Sequence, residues 1–196
     1  MMRDTKRLLA DTFLLLAEEK PVQRITVREL INACSLNRNT FYYYFSDVPK
    51  LMEWILSVET ERVIKNFEET HSAAAGWESL VGWIELHPTA FRHIYGAIGR
   101  EGIADAILAP WTGKMREYTD LRSDGKIAEE DRLLIASVSC ALYLNAILLW
   151  VSSNMRFDLR ARLKRIEALY GNGMDAAIRC AIDGTTVDFY KKGDTE

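Results

Sequence analysis

Apolar residues recur along this chain at helical spacing, and the interruptions between runs are short. Leu8, Leu9, Phe13 and Leu16 lie on one face and predict an opening helix that Lys20-Pro21 ends. Val27, Leu30, Ile31 and Cys34 repeat the i, i+3, i+4, i+7 pattern over a second, shorter helix. Thr26 is a good N-cap for it, and Glu29 three residues on completes a capping box. Ser35-Leu36-Asn37 interrupts the pattern. Asn37 can cap a third helix, in which Phe41 and Phe45 or Tyr44 point inward while Arg38, Asn39, Thr40, Tyr42 and Tyr43 stay outside. Steps of 100° spread Tyr42, Tyr43 and Tyr44 around that helix, so at least one phenol faces solvent or a ligand.

Asp47 is a plausible N-cap for a long fourth helix, with Pro49 tolerated in its first turn and Leu51, Trp54, Ile55 and Val58 on one face. The pattern carries it to about residue 70, and residues 71–76 (HSAAAG) are the expected boundary. This gives a head, residues 1–50, and a helical body, residues 51–196, joined by a connecting helix over about 48–70. Trp77, Leu80, Val81 and Ile84 keep helical spacing up to Pro88, and Phe91, Ile94, Tyr95 and Ile98 form another run. Residues 103–108 are expected to stop before Pro110, with 111–121 continuing beyond it. Ser123-Asp124-Gly125-Lys126 reads as a turn. A long uncharged helix over 133–155 follows, then a basic amphipathic one over 159–170. Asn172 is positioned to cap a last helix with Met174, Ala177, Ile178, Ala181, Ile182 and Phe189 on its apolar face. With no sustained period-two alternation, internal repeat or low-complexity stretch, the predicted fold class is all-α.

The uncharged segment changes the picture. Residues 133–155 contain no charge over a length sufficient to cross a bilayer. Ser137, Ser139, Asn145, Ser152, Ser153 and Asn154 argue against spanning, and a helix apolar all round can be buried inside a protein instead. The expectation is therefore a core or dimer helix, with no membrane. The N-terminal helix has charges scattered through it and does not read as a signal peptide. Cys34, Cys140 and Cys180 lie far apart with no metal-ligand spacing, which predicts reduced thiols in a cytoplasmic protein.

Charge is unevenly spread. Residues 20–50 hold five basic side chains (Lys20, Arg24, Arg28, Arg38, Lys50) against two acidic ones, a net of +3. The whole chain is −3, so the remainder carries −6. A small basic head on an acidic body fits contact with a polyanion through that head. Two short helices around a tight turn also form the helix-turn-helix arrangement, whose second helix enters the major groove of DNA.

The segment T-V-R-E-L…N-R-N-T-F-Y-Y-Y-F closely resembles the DNA-binding segment of TetR-family transcriptional regulators, over roughly the first 55 residues. The chain departs from that pattern twice: Ser35 stands where many members have glycine, and Val48-Pro49 replaces a common lysine. Lys50, in the next turn, can supply the missing cation.

Thr26 and Thr40, in the first turns of their helices, can meet phosphate, as can the flexible Lys50 at the rim. Arg28 and the cap Asn37 belong to the same candidate surface. Arg38 can bind guanine bidentately or a phosphate, and Asn39 can pair with an adenine edge. The resemblance assigns Tyr42 a backbone contact. Tyr43 stands where the family is often basic or histidine; it can touch a thymine methyl, bond to phosphate, or do neither.

The resemblance further implies a homodimer on a palindromic operator, a C-terminal four-helix interface, an effector pocket in the body and repression as the usual outcome. Trp83, Tyr95, Trp111, Met115, Tyr118 and Tyr143 are the candidate pocket residues, suited to an apolar or aromatic small molecule. His87 and His93 are six apart and no acidic partner lies in register, so no metal is expected, and no cofactor. No nucleophile–base pair, phosphate loop or paired carboxylates stand out, so the expectation is not an enzyme. The alternative is a helical protein-interaction or membrane-associated protein, built around 133–155, that does not bind DNA.

Overall fold

The structure, a computed structural model, describes residues 2–70 and 72–184. Within them the chain is all-α, 84% helix with no strand. The head holds α1 (Met2–Glu19), a 3-10 turn (Val22–Arg24), α2 (Val27–Ala33) and α3 (Arg38–Tyr44). The long α4 (Val48–Thr70) leads into α5 (Ala73–Leu86), α6 (Pro88–Ser123), α7 (Glu129–Ser152), α8 (Leu159–Tyr170) and α9 (Gly173–Ile182).

Short polar residues set most helix starts. Thr26, Asn37, Ser72 and Asp158 each accept a hydrogen bond from a first-turn backbone N–H. Asp47 does the same for α4, its Oδ1 accepting from Lys50 N at 2.8 Å. Asn172 occupies the N-cap position of α9 but makes no side-chain cap bond. The capping box at Thr26 is half formed: Glu29 N donates to Thr26 Oγ1 at 3.3 Å, while the Glu29 carboxylate pairs with Lys20.

One hydrophobic core runs from head to body, through Leu9, Phe13, Leu30, Phe41, Leu51, Ile55, Trp77, Ile84, Phe91, Trp111 and Ile147. Leu8, expected on the buried face of α1, is exposed, because the inner stripe runs through Leu9, Phe13, Leu14 and Ala17. A small second cluster, Ile127, Ile135 and Ile178, pins α9. Met174, Ala177 and Ala181 pack against it, whereas Ile182 is exposed. Phe189 lies outside the described residues, as does His71.

The expected interruption at Pro110 is not there. α6 continues through Pro110 and breaks instead at Gly99, where φ is 70° and ψ is −174°. Proline removes the donor that would reach the carbonyl four residues back. That carbonyl, Ala106 O, lies 3.5 Å from the Thr60 hydroxyl of α4, whose shorter bond goes to Leu56 O at 2.9 Å. Gly99 adopts a backbone region open essentially to glycine alone. The bend also crowds Gly102, where an added Cβ would lie 2.7 Å from Ile98 Cβ.

Apolar residues cover α7 on both sides. Ile135, Ala136, Cys140, Tyr143, Leu144, Ile147 and Val151 are buried, and burial pushes the Cys140 thiol up to about 12. Leu134, Val138, Ala141, Asn145 and Leu149 form an exposed stripe along the opposite side.

Candidate nucleic-acid interface

The turn between α2 and α3 closes with paired backbone bonds. Ser35 N donates to Asn32 O at 3.2 Å and Leu36 N to Ile31 O at 2.8 Å, which together make a Schellman motif. Ser35 is left-handed at φ 55°, the conformation for which glycine is favoured. Cys34 Sγ donates to Thr12 Oγ1 of α1 at 3.0 Å, tying this turn to the first helix.

Asn37 organises the start of α3. Its Oδ1 accepts from Thr40 N at 2.8 Å and from the Thr40 hydroxyl at 3.0 Å. Phe41 and Phe45 are buried and fix the helix's inner face. The outer face therefore presents Arg38, Asn39, Tyr42 and Tyr43, with Tyr43 at 71% exposure. Tyr44 is half-buried, its ring edge-on to Tyr43 at 4.9 Å. Arg38 lies along the helix on Tyr42, with Cζ 5.4 Å from the ring centroid and Nη2 donating to the phenol oxygen at 3.3 Å. This stacking restrains a long side chain before any ligand arrives.

Thr26 and Arg28 are exposed on α2. Lys50 is exposed on the first turn of α4, its Nζ 2.6 Å from Glu53 Oε2, and that pairing raises its pKa. Val48 is buried, so the site of the missing lysine belongs to the core. Two features of this face carry little signal in the sequence. Glu53 partners Lys50, with i, i+3 spacing as its only signal. Lys6 lies over the rings of Tyr44, Phe45 and Trp54, 5.5–6.0 Å from their centroids, and braces α1 against the far end of α3.

No protein-family model matches the chain, and no curated protein matches it closely.

In the body, four of the six pocket candidates converge on one aromatic cluster. Trp111 packs on Phe67 and Trp77, Tyr118 on Phe67, and Tyr143 stacks on Trp77 at 6.1 Å. Met115, one turn from Trp111, is fully buried with it. The indole N–H groups of Trp77 and Trp111 are buried without a hydrogen-bond partner. Burial and Glu167, to which the Tyr143 phenol donates, push that phenol's pKa well up. Trp83 sits apart, against Phe91 and His87, and Tyr95 is half-buried on α6.

Two surface grooves also stand out. One, of about 730 Å³, lies between α1, α4 and α5 and includes Arg7, Trp54, Glu59, Trp83 and His87. The other, of about 750 Å³, follows the exposed stripe of α7 between α6 and α8. Of the six candidates only Trp83 lines either groove.

Proposed function

We propose that this protein is a DNA-binding transcriptional regulator of the TetR type, a repressor that acts as a homodimer on a palindromic operator and answers to a small apolar or aromatic effector. The observation that carries the reading is the division of α3 into two faces. Phe41 and Phe45 hold the helix down, while Arg38, Asn39, Tyr42 and Tyr43 project from a capped, seven-residue helix. Such a helix is roughly 10 Å long and fits a major groove about 12 Å wide. Arg38 supplies the fork that guanine or phosphate accepts, and Asn39 the amide that adenine accepts. Thr26, Arg28, Asn37, Thr40 and Lys50 surround this face as backbone-positioning groups.

The exposed stripe of α7 supports the dimer. Leu134, Val138 and Leu149 stand out from the protomer, and Ala141 and Asn145 between them allow close helix approach. α7 is also long and apolar enough to cross a membrane, but half of its most apolar window is buried inside the fold. A helix half covered by its own fold, with one exposed stripe left, suits a second copy better than lipid. The effector part of the reading rests on the resemblance, since the cluster around Trp111 is packed core and of the candidates only Trp83 lines a groove.

Selection of binding sites from random duplex DNA at two salt concentrations tests the reading. Recovery of a palindrome whose affinity falls steeply with salt is the expected result. An absence of DNA binding at both salts overturns it in favour of a helical interaction protein. Recovery of the intact chain only with detergent would point to the membrane-associated form.

A further inference from the structure

The groove between α1, α4 and α5, of about 730 Å³, holds a carboxylate that lacks the donors it needs. Glu59 lines it from the middle of α4, with a side chain only 8% exposed. Arg62 Nη1 lies 2.8 Å from Glu59 Oε2, but the approach lacks hydrogen-bond geometry, and Oε2 accepts no hydrogen bond. That pairing offsets charge without supplying a directional donor. Burial raises the Glu59 pKa above its ordinary value in spite of Arg62 and Arg7. Buried carboxylates are normally bonded, so an unbonded one beside open space marks where a donor from outside would gain most.

The rest of the lining is apolar below and charged at the rim. Leu14 of α1, Ile55 of α4 and Trp83 of α5 line the groove and are nearly buried. Trp54 adds a second indole, and Lys6 Nζ already lies 5.5 Å from its ring centroid, so this ring accepts a cation. Lys6, Arg7 and Arg62 stand against Asp11, Glu59 and Glu61, so the charges of the groove balance. A ligand suited to this lining is apolar at one end and rich in N–H donors at the other. A carboxylate presents two oxygens in one plane and is best met by a planar fork of donors. A positive fork also holds Glu59 ionised in its nearly buried setting, which Arg62 as placed does not do with bonds. An anion would be drawn to Arg7 and Arg62, yet it would leave Glu59 unbonded and face Asp11 and Glu61.

We propose that this groove binds an aromatic amidine, or a planar organic cation of the same kind, with its N–H fork on the Glu59 carboxylate and its ring against Trp83, Leu14 and Ile55. The site is separate from the aromatic cluster around Trp111, since neither Trp77 nor Trp111 lines it. It requires neither DNA nor a second copy, so it stands or falls apart from the regulator reading.

Titration of the full-length chain with benzamidine, benzamide and benzoate, which are close in shape and differ in charge, tests the site. Calorimetry gives the affinities. The indole N–H signals of an isotope-labelled sample, assigned by single Trp→Phe substitutions, give the location. Benzamidine is expected to bind with a Kd of about a millimolar, shifting the indoles of Trp54 and Trp83 and leaving those of Trp77, Trp111 and Trp150 in place. Benzamide and benzoate are expected to bind at least about tenfold more weakly. The same loss is expected for benzamidine with Glu59→Gln, which keeps the shape of the side chain and removes its charge. Thermal melts report whether that variant is folded, and the ranking of the three ligands is read on the parent chain without it. Benzoate binding as tightly as benzamidine, unchanged affinity in Glu59→Gln, shifts centred on Trp77 and Trp111, or no binding of benzamidine would each overturn the proposal.

Discussion

Two glycines of α6 should respond oppositely to the same substitution. At Gly99 and at Gly113 an added Cβ meets nothing within 4 Å, so packing contributes nothing at either site. Only the backbone differs. Gly99 holds φ 70° and ψ −174°, where an alanine costs about 1–3 kcal/mol. Alanine also restricts the unfolded chain, which returns about 0.4–1 kcal/mol. Gly99→Ala is therefore expected to destabilise by about 1.3 kcal/mol at the centre of these ranges, lowering Tm by roughly 3–5 °C for a chain of this size. Gly113 is helical and exposed, so Gly113→Ala gains about 0.5–1 kcal/mol and raises Tm by roughly 1–4 °C. Circular dichroism melts and urea midpoints of the two variants check the pair. Shifts in the same direction would refute the bend, because an unbroken α6 makes both positions ordinary helix interior.

Three further outcomes follow from the site and its surroundings. Asn37→Ala should cost about 1 kcal/mol, read from urea midpoints, because it removes the cap on Thr40 N. Tyr43→Ala should leave stability within about 0.5 kcal/mol, since the ring is mostly exposed, so any change in operator affinity reports contact with DNA. The third concerns Glu59, nearly buried on α4, with Oε2 2.8 Å from Arg62 Nη1 but without hydrogen-bond geometry. Burial raises its pKa above the ordinary 4.5, against the attraction of Arg62 and Arg7. The raised value favours the neutral carboxyl in the folded state, so its stabilisation is full below the unfolded pKa and is lost as pH rises through the folded one. Glu59→Gln should therefore be more stable than the parent at pH 7 and lose that advantage by about pH 4 in denaturant melts. A less stable variant at pH 7 would mean that the arginines outweigh burial.

Local chemistry made much of the helix pattern readable. Thr26, Asn37 and Asp47 cap where short acceptors before apolar runs should cap, and α4 ends at Thr70 as the periodicity predicts. Non-local chemistry set the rest. Pro110 stays inside α6, and the carbonyl it frees, Ala106 O, faces Thr60 of α4, 46 residues from Ala106 in sequence; no window along α6 contains that packing. Glu29 leaves the capping box for Lys20, a choice made by the fold of the 3-10 turn between them. The all-round apolarity of α7 concealed which face is covered. The pocket candidates show the same limit, since helical spacing identifies Trp111 and Met115 as inward but not whether space lies beside them.

The two departures in the turn-and-helix motif have unequal consequences. Ser35 accepts a left-handed backbone at a cost of about 1–2 kcal/mol, and the Schellman bonds still close, so the angle between α2 and α3 survives. Val48 is different, because its burial commits that position to the core and removes a cation from the rim. Arg28, Arg38 and Lys50 are then the basic side chains of the candidate face, and Lys50 already has Glu53 as a partner. If the proposed dimer binds DNA, three cations per protomer limit it to about six phosphate neutralisations, a salt slope no steeper than about −5. A head so sparing in charge needs its aromatic and amide side chains, Tyr42, Tyr43 and Asn39, to supply much of the binding. On the regulator reading it also needs two heads held at a fixed spacing, so that the second half-site adds what one sparsely charged head lacks.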